Sequence, residues 1–490
     1  MLETAVYDDG HRMLAVVRER LAGPGPVPIA VSSVSPTAYD RVRAGAVDWP
    51  GDYVLVEVLA DHVRIAAGVL GVAPIYLAVD DDTLRGSWEI LDLTDSVDAE
   101  RLDAREAARH LTMRFRYTAA TLFVDVRRLT ERAVAIWDGA RLRFDLPEPA
   151  PHSIARSLAD GVDSDQILDA YEDLLADVLR RRPLDPCLLG VQLSGGLDSA
   201  NTALSVAHLW PGRATAAAML LPGASGAQQR RRRGILTGDG VYASDIQVPV
   251  IESGVTPLAS SWVAEHGHRM RPFDDPHQPA TVEMLSRLAS AGITTVVTGV
   301  GGDEMVAVTE EEEPKPAVGA DRPIQEWVGP DAVELARTPD EGIAPASVVN
   351  EMSLLAFGCG APLILHAGLW PIHPLADPSL ARFGEWLPPE WRRLKYLHRA
   401  RLTRAGFGPE ITNPLLRENF RTVVEWALPR NITPLLTGML ATGSPLFDQR
   451  LIDPDGLRSA VGRVNAGKAA SRDVELYEVA AMHLAIAAAA

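Results

Sequence analysis

The stretch that decides the fold is Ser194-Gly195-Gly196-Leu197-Asp198-Ser199, between an apolar run at 187–193 and a helical pattern from 197 to about 209. A buried strand, a glycine-rich loop and a helix in this order aim backbone N–H groups and the positive helix end at an anion. The Asp198 carboxylate is favourable beside phosphate only when a cation lies between them, and Mg²⁺ is the usual one. The alternative is a plain glycine turn before a capped helix.

A second glycine-rich stretch, Thr298-Gly299-Val300-Gly301-Gly302-Asp303-Glu304, follows the apolar run 293–297. Between 187 and 300, strand-like runs alternate with helical ones, which predicts a parallel, doubly wound sheet. Ligands bind such sheets at loops that follow the carboxyl ends of strands. Both glycine-rich stretches are therefore expected near a ligand.

The rest of the chain suggests two domains, 1–150 and 151–490, separated by the proline-rich segment 146–152. The first part is β-rich, and a hairpin across Asp138-Gly139 is predicted there. The second part has a helical pattern at 167–179, a strand at 215–221 and mostly helix after 348. The strands predicted in the first part are 54–58, 63–67, 74–79, 134–137 and 142–144.

Composition excludes several classes of protein. The 490 residues carry a net charge of −18, which argues against binding nucleic acid. No apolar run approaches the roughly 18 residues that a membrane helix needs, and no secretory signal is recognised. Only Cys187 and Cys359 are present, so a disulfide framework and a cysteine metal site are not expected. A cytoplasmic enzyme that binds neither nucleic acid nor membranes is the expectation.

The loop 194–199 resembles the pyrophosphate loop of the ATP pyrophosphatase superfamily, and it lacks the lysine of the Walker pattern. Together with 298–305 it resembles the asparagine synthetase branch of that superfamily. The segments Pro272-Phe273-Asp274-Asp275-Pro276, His373-Pro374-Leu375-Ala376-Asp377 and 394–399 resemble further stretches of the branch. The resemblance implies ATP and Mg²⁺, with Asp198 and Asp303 as metal ligands. The ATP contacts that it implies are Leu193, Ser194, Gly195, Gly196, Leu197, Asp198, Ser199, Met219, Leu220, Gly299 and Gly301.

The first domain resembles the glutamine-amidotransferase domain of the same branch, at Gly51-Asp52-Tyr53, at 70–76 and at 87–91. The resemblance implies an αββα-type domain followed by a doubly wound adenylation domain with a helical C-terminal part. A working glutaminase needs an N-terminal cysteine as its nucleophile, and residue 2 is Leu2. The chain is thus similar to the glutaminase-inactive members, namely β-lactam and carbapenam synthetases and the macrolactam cyclases of lasso peptides.

Three catalytic candidates follow from the resemblance to β-lactam synthetases. Glu351, in Asn350-Glu351-Met352-Ser353, matches a stretch with a catalytic glutamate. Its tyrosine partner is replaced by Val300, and the expected lysine is absent, so Arg417 and Lys395 are the nearest cations. A surface carboxylate is the alternative for Glu351, and surface ion pairing is the alternative for both cations. The identity of the base stays open.

The expected function is ATP-dependent activation of a carboxylate as an acyl-adenylate, followed by attack of an amine of the same molecule. The product would be a lactam or a peptide macrolactam in natural-product biosynthesis. The alternatives are an intermolecular amide ligase, an ammonia-dependent amidotransferase, and a catalytically dead scaffold protein. The substrate is a small molecule or a peptide; a peptide substrate would imply a leader-peptide-binding protein or a protease as partner. A homodimer is compatible with the sequence.

Two charged segments complete the analysis. The run Arg230-Arg231-Arg232-Arg233 is interpreted as a solvated basic loop, with phosphate or acidic-peptide binding as the alternative. The segment 309–328, which contains four successive glutamates, is interpreted as a solvated loop. Whether 306–345 forms a lid over the substrate is left open.

Overall fold

The computed structural model describes residues 1–21, 31–150, 162–308, 312, 322–416 and 418–490. Within these ranges the chain is a mixed α/β protein with parallel and antiparallel sheets and many helices. No helix in the described ranges is both long and apolar enough to cross a bilayer.

The first 150 residues form two antiparallel-rich sheets. The order is β10-β9-β5-β4-β2-β1-β3 in one and β7-β6-β8 in the other. The predicted strands at 63–67 and 134–137 and the predicted hairpin are confirmed. The elements are β1 Leu2–Asp8, β2 Met13–Glu19, β3 Val31–Ser33, α1 Pro36–Val47, β4 Tyr53–Val58, β5 Val63–Ala67, β6 Ile75–Asp80, β7 Thr83–Ser87, α2 Ala104–Leu111, β8 Val126–Leu129, β9 Val134–Trp137 and β10 Leu142–Asp145.

The remaining strands form one five-stranded sheet in which every neighbouring pair is parallel. The helices around and after it reach to the end of the chain. The elements are α3 Ser164–Arg180, β11 Leu189–Gln192, α4 Leu197–Leu209, β12 Thr215–Leu220, α5 Gly223–Leu236, β13 Ser244–Pro249, α6 Ser260–His266, α7 Gln278–Ser290, β14 Thr295–Val297, α8 Gly302–Met305, α9 Pro330–Leu335, α10 Glu351–His366, β15 Trp370–Ile372, α11 Pro378–Trp386, α12 Pro389–Arg392, α13 Tyr396–Arg404, α14 Pro409–Thr412, α15 Arg421–Ala427, α16 Thr433–Thr442, α17 Pro445–Asp448, α18 Pro454–Asn465 and α19 Leu476–Ala489.

The strand order of this sheet is β13-β12-β11-β14-β15. The chain therefore builds outward from β11 in one direction and then returns to build outward in the other. The direction reverses between β11 and β14, so the loops after these two strands diverge and leave a crevice. Both predicted glycine-rich loops follow these two strands. Strand β11 is shorter than predicted because Pro186–Leu188 forms a 3₁₀ turn, in which Asp185 accepts a hydrogen bond from Cys187 N.

Buried ion pairs connect the antiparallel sheets to the parallel one. Arg182 donates to Glu19 at 2.6 Å, and Trp370 Nε1 donates to the same carboxylate at 3.0 Å. Arg271 pairs with Glu89 at 2.8 Å, with both side chains under 10% exposed. A buried carboxylate is tolerated only with such partners, so the two parts of the chain have a fixed contact surface.

Two interpretations of charged segments are corrected by the fold. The arginine run lies within α5, where Arg232 and Arg233 are each 1% exposed, so it is not a solvated basic loop. Glu418 and Asp245, from distant parts of the chain, pair with these two arginines. Of the segment interpreted as a solvated loop, 309–311 and 313–321 lie outside the described residues. Its last part is packed, because Trp327 is fully buried in the largest apolar core.

Candidate active site

The loop after β11 is held in shape by its own two serines. The Ser194 and Ser199 hydroxyl oxygens are 3.0 Å apart, and Ser194 N donates to Ser199 Oγ at 3.2 Å. Gly195 has a φ of +96°, which only glycine adopts at little cost. α4 begins at Leu197 without a side-chain cap, so the first N–H groups of the helix face the loop, as an anion site requires.

The loop after β14 lies directly against the first loop. A Cβ atom on Gly302 would lie 2.5 Å from Asp198 Cγ, and one on Gly299 would lie 2.7 Å from Ser199 N. Gly301 has a φ of +94° and would meet Ala376 N at 2.6 Å. These glycines are therefore required for the close approach of the two loops, and the expectation of one common site is met by the geometry.

Asp198 and Asp303 are bridged by one cation. Lys395 Nζ lies 2.6 Å from Asp198 Oδ2 and 2.6 Å from Asp303 Oδ1. Burial alone would lower the pKa of Lys395, but the two carboxylates outweigh burial and raise it. Asp198 Oδ1 is buried and has no hydrogen-bond partner in the described residues. An ammonium between two carboxylates, with one acceptor left over, shows that this donor set suits a hard cation such as Mg²⁺.

The backbone that carries Lys395 is strained. Leu394 and Lys395 have φ values of +52° and +58°, and the Leu394 side chain is 79% exposed. Each non-glycine residue in this region costs about 1 kcal/mol or more. The strain presents the ammonium to the two aspartates, and such strain is concentrated at functional sites.

His398 supports the site from behind and was not predicted. Its Nε2 lies 3.0 Å from the Gly302 carbonyl oxygen, and its Nδ1 lies 2.9 Å from the Tyr171 hydroxyl. A carbonyl only accepts, so Nε2 carries the proton and Nδ1 accepts from the tyrosine. Burial lowers the pKa of His398 and keeps the ring neutral. The ring thereby fixes Gly302 beside Asp198.

A carboxylate lies above the glycines of the first loop. A Cβ on Gly195 would lie 3.2 Å from Glu418 Oε1, and one on Gly196 would lie 3.9 Å from Oε2. The Glu418 carboxylate pairs with buried Arg232, whose second amino group donates to the Leu416 carbonyl at 2.8 Å. An anion thus occupies the place above the loop where phosphate oxygens are expected.

Gln229 occupies the end of β12, where contacts to adenine are expected. Its amide oxygen accepts from Leu221 N at 2.9 Å, and its amide nitrogen donates to the Met219 and Ser194 carbonyls at 3.0 Å each. The Leu220 carbonyl accepts from Val250 N. These backbone groups are therefore already bonded, and an adenine ring would have to share the Met219 carbonyl or contact side chains. Leu193 is fully buried beneath the loop.

Two cavities meet at this site. The larger, of about 820 Å³, lies over the first loop and is lined by Gly196, Asp198, Asp303 and Lys395 among others. The smaller, of about 270 Å³, lies on the other side of α8. Ala307 and Arg392 line both. The larger has the size of a cavity that takes a nucleotide-sized ligand.

The catalytic candidates have different placements. Lys395 is in the site. Glu351 is the first residue of α10, where it is exposed and lines neither cavity. Arg417 lies outside the described residues. No group of three or more metal-binding side chains occurs in the ranges that the structure describes, so a metal here would depend on two carboxylates and the phosphate oxygens.

Comparisons with known proteins add little. No protein-family model and no curated protein match the chain. Among solved structures, the chain is similar to glutamine phosphoribosylpyrophosphate amidotransferase from B. subtilis, complexed with ADP and GMP. The alignment covers 72% of this chain and 73% of that chain at 9% identity and a TM-score of 0.19. A TM-score this low carries no argument about fold or function.

Proposed function

We propose that the protein is an ATP-dependent amide-bond-forming enzyme that activates a carboxylate as an acyl-adenylate and closes a lactam or macrolactam. The observation that carries this proposal is the pair Asp198 and Asp303, brought to one cation at the ends of two adjacent parallel strands beside a glycine loop. Purely structural carboxylates are not expected to converge at the switch point of such a sheet.

Each part of the site has a role in this reaction. The N-terminus of α4 and the loop N–H groups hold the phosphates, and Asp198 and Asp303 would hold Mg²⁺. The metal, when bound, supplies charge neutralisation on the phosphates. The carboxylate oxygen of the substrate attacks the α-phosphorus of ATP and pyrophosphate leaves. Lys395, displaced from its bridge, is placed to stabilise the charge that develops on the phosphates.

The first 150 residues are proposed to be a glutamine-amidotransferase-like domain without glutaminase activity, followed by the adenylation domain. Leu2 lies at the wall of a cavity with Tyr53, Trp88 and Trp370. The two cysteines of the chain, Cys187 and Cys359, are remote in sequence from residue 2, so this cavity has no thiolate nucleophile. The amine must therefore come from a source other than glutamine hydrolysis, which favours an amine of the same substrate.

ATP–pyrophosphate exchange tests this proposal. The purified protein is assayed against amino acids, N-carboxylated amino-acid derivatives and peptides, with Asp198→Asn as the test variant. Asp173→Asn, on the exposed surface of α3, is the matched control. Exchange that requires one substrate and is lost only in Asp198→Asn supports adenylation. Product formation that requires a separate amine would indicate an intermolecular ligase. A protein that binds no Mg·ATP would be a scaffold rather than an enzyme.

A further inference from the structure

The smaller cavity, on the side of α8 away from the glycine loop, differs in charge from the larger one. Glu304 lies in its wall, and Glu385 lines it opposite. Arg392 also lines it, but its guanidinium is directed to the Leu387 and Ala307 carbonyls and to Glu312. The accessible charge of the cavity is therefore negative.

Glu304 and Asp303 are successive residues that line different cavities, Asp303 the larger and Glu304 the smaller. Burial, and then the charges of Asp303 and Asp198, raise the pKa of Glu304. No side chain of the described residues is hydrogen-bonded to it. A partly buried carboxylate that faces a cavity without a partner is suited to a cationic ligand.

We propose that this cavity is the amine subsite: it binds a primary ammonium group, and the Glu304 carboxylate pairs with that group and accepts its proton. The inference rests on the proposed function and extends it. The cavity volume of about 270 Å³ lies below the range of cavities that take drug-sized ligands, so one amino-acid-sized part of the substrate fits. Asn350 and Ser353, in the segment matched to a catalytic stretch, line the same cavity although Glu351 does not.

The shared wall connects this subsite to the adenylate. Ala307 and Arg392 border both cavities, so a nitrogen held near Glu304 can approach a carbonyl carbon held over Asp198. The nitrogen, after losing one proton to Glu304, forms the bond to the acyl carbon. The bond from that carbon to the AMP oxygen breaks, and AMP leaves with the electron pair. The second proton passes from nitrogen to solvent.

A labelling experiment tests the subsite without ATP or substrate. Ala381 lines the cavity, and an Ala381→Cys variant is made in a Cys187→Ser background because Cys187 is exposed. The thiol is reacted with 2-aminoethyl methanethiosulfonate, a primary ammonium, and with its sulfonatoethyl analogue, an anion. Adding Glu304→Gln is expected to lower the ratio of the two rates by about fivefold or more. Glu334→Gln, on exposed α9, is the control. An unchanged ratio overturns the subsite.

A kinetic experiment tests the proton transfer. With the carboxylate substrate that supports exchange, its own amine or added ammonium is compared with hydroxylamine, which is unprotonated at neutral pH. Glu304→Gln is expected to keep exchange and hydroxamate formation within about twofold and to lose amide formation by about a hundredfold. Retained amide formation overturns the role of Glu304. Absence of exchange in the wild type counts against the proposed function, and the labelling result then decides the subsite alone. Glu304→Asp, which keeps the charge, controls for misfolding.

Discussion

Lys395 Nζ lies 2.6 Å from Asp198 Oδ2, although the two residues are 197 positions apart in the chain. The same ammonium reaches Asp303 at an equal distance. The cation that neutralises the two aspartates is thus supplied by the strained turn before α13. Any divalent metal that binds these aspartates has to displace Lys395 or share them with it.

Replacing this lysine should make the site dependent on added metal. Lys395→Met leaves two close carboxylates without their cation, and we expect the free energy of unfolding in EDTA to fall by about 1–2 kcal/mol. Millimolar Mg²⁺ should restore most of the loss. Calorimetric melting with EDTA and with MgCl₂ measures both. Lys468→Met, at an exposed position, should respond to neither; equal Mg²⁺ effects in all three proteins would contradict the prediction.

Removing the charge of Glu418 should strengthen nucleotide binding. Glu418→Gln keeps the shape of the side chain above Gly195 but removes a negative charge that phosphate oxygens must approach. We expect Mg·ATP to bind about tenfold more tightly, a gain of about 1.4 kcal/mol. Titration calorimetry measures the affinity. The matched control is Glu410→Gln, because Glu410 pairs with Arg231 on the same helix at 2.5 Å but lies away from the loop. A weaker affinity in Glu418→Gln would show that Glu418 assists binding.

The His398 and Tyr171 side chains should be energetically coupled. His398→Ala removes a buried ring and leaves the Gly302 carbonyl without a donor, which should cost about 2–4 kcal/mol of stability. Tyr171→Phe removes one hydrogen bond and should cost about 1 kcal/mol. If the bond between them is real, the double variant loses less than the sum. Urea unfolding of the four proteins gives the coupling; strictly additive losses would contradict the assigned tautomer.

Asp52 should make stability fall as the pH rises. Burial, and then the nearby charge of Glu19, raise the pKa of Asp52 to about 7 from 3.8. The folded state therefore keeps the proton between about pH 4 and pH 7 while the unfolded state releases it, so stability falls over this range. The loss through this group is roughly 4 kcal/mol.

The Asp52→Asn variant lacks this titration, and its amide oxygen can still accept from Val72 N. Its stability relative to the wild type should therefore be greater at pH 8 than at pH 4.5, as measured by urea unfolding at both values. Asp48→Asn, at an exposed position, should show no such change. A difference between Asp52→Asn and the wild type that does not vary with pH would show that Asp52 is ionised throughout.

The sequence was sufficient where local signals agree. The helix predicted from 197 to about 209 is α4, Leu197–Leu209, because a glycine turn precedes it and no helix breaker interrupts it. The contact between the two glycine loops followed from strand order in parallel sheets. The predicted ATP contacts, metal ligands and catalytic roles stay predictions.

The sequence was insufficient where partners come from distant segments. Arg232 and Arg233 were interpreted as solvated because arginine is rarely buried without a partner, and their partners lie 186 and 12 residues away, at Glu418 and Asp245. No local pattern marks Gln229 or His398, since each acts through backbone groups that only the tertiary fold brings to it. Glu304 is set apart from Asp303 only by the cavity that it faces.

The two side chains that lie where Mg·ATP is expected, Lys395 and Glu418, give nucleotide binding the character of ion exchange. An internal cation leaves the aspartates as a metal arrives, and an internal anion leaves the glycines as phosphate arrives. The local charge then changes less than it would if an empty, charged site were filled. The affinity for Mg·ATP should consequently vary little with ionic strength, unlike binding driven by long-range attraction.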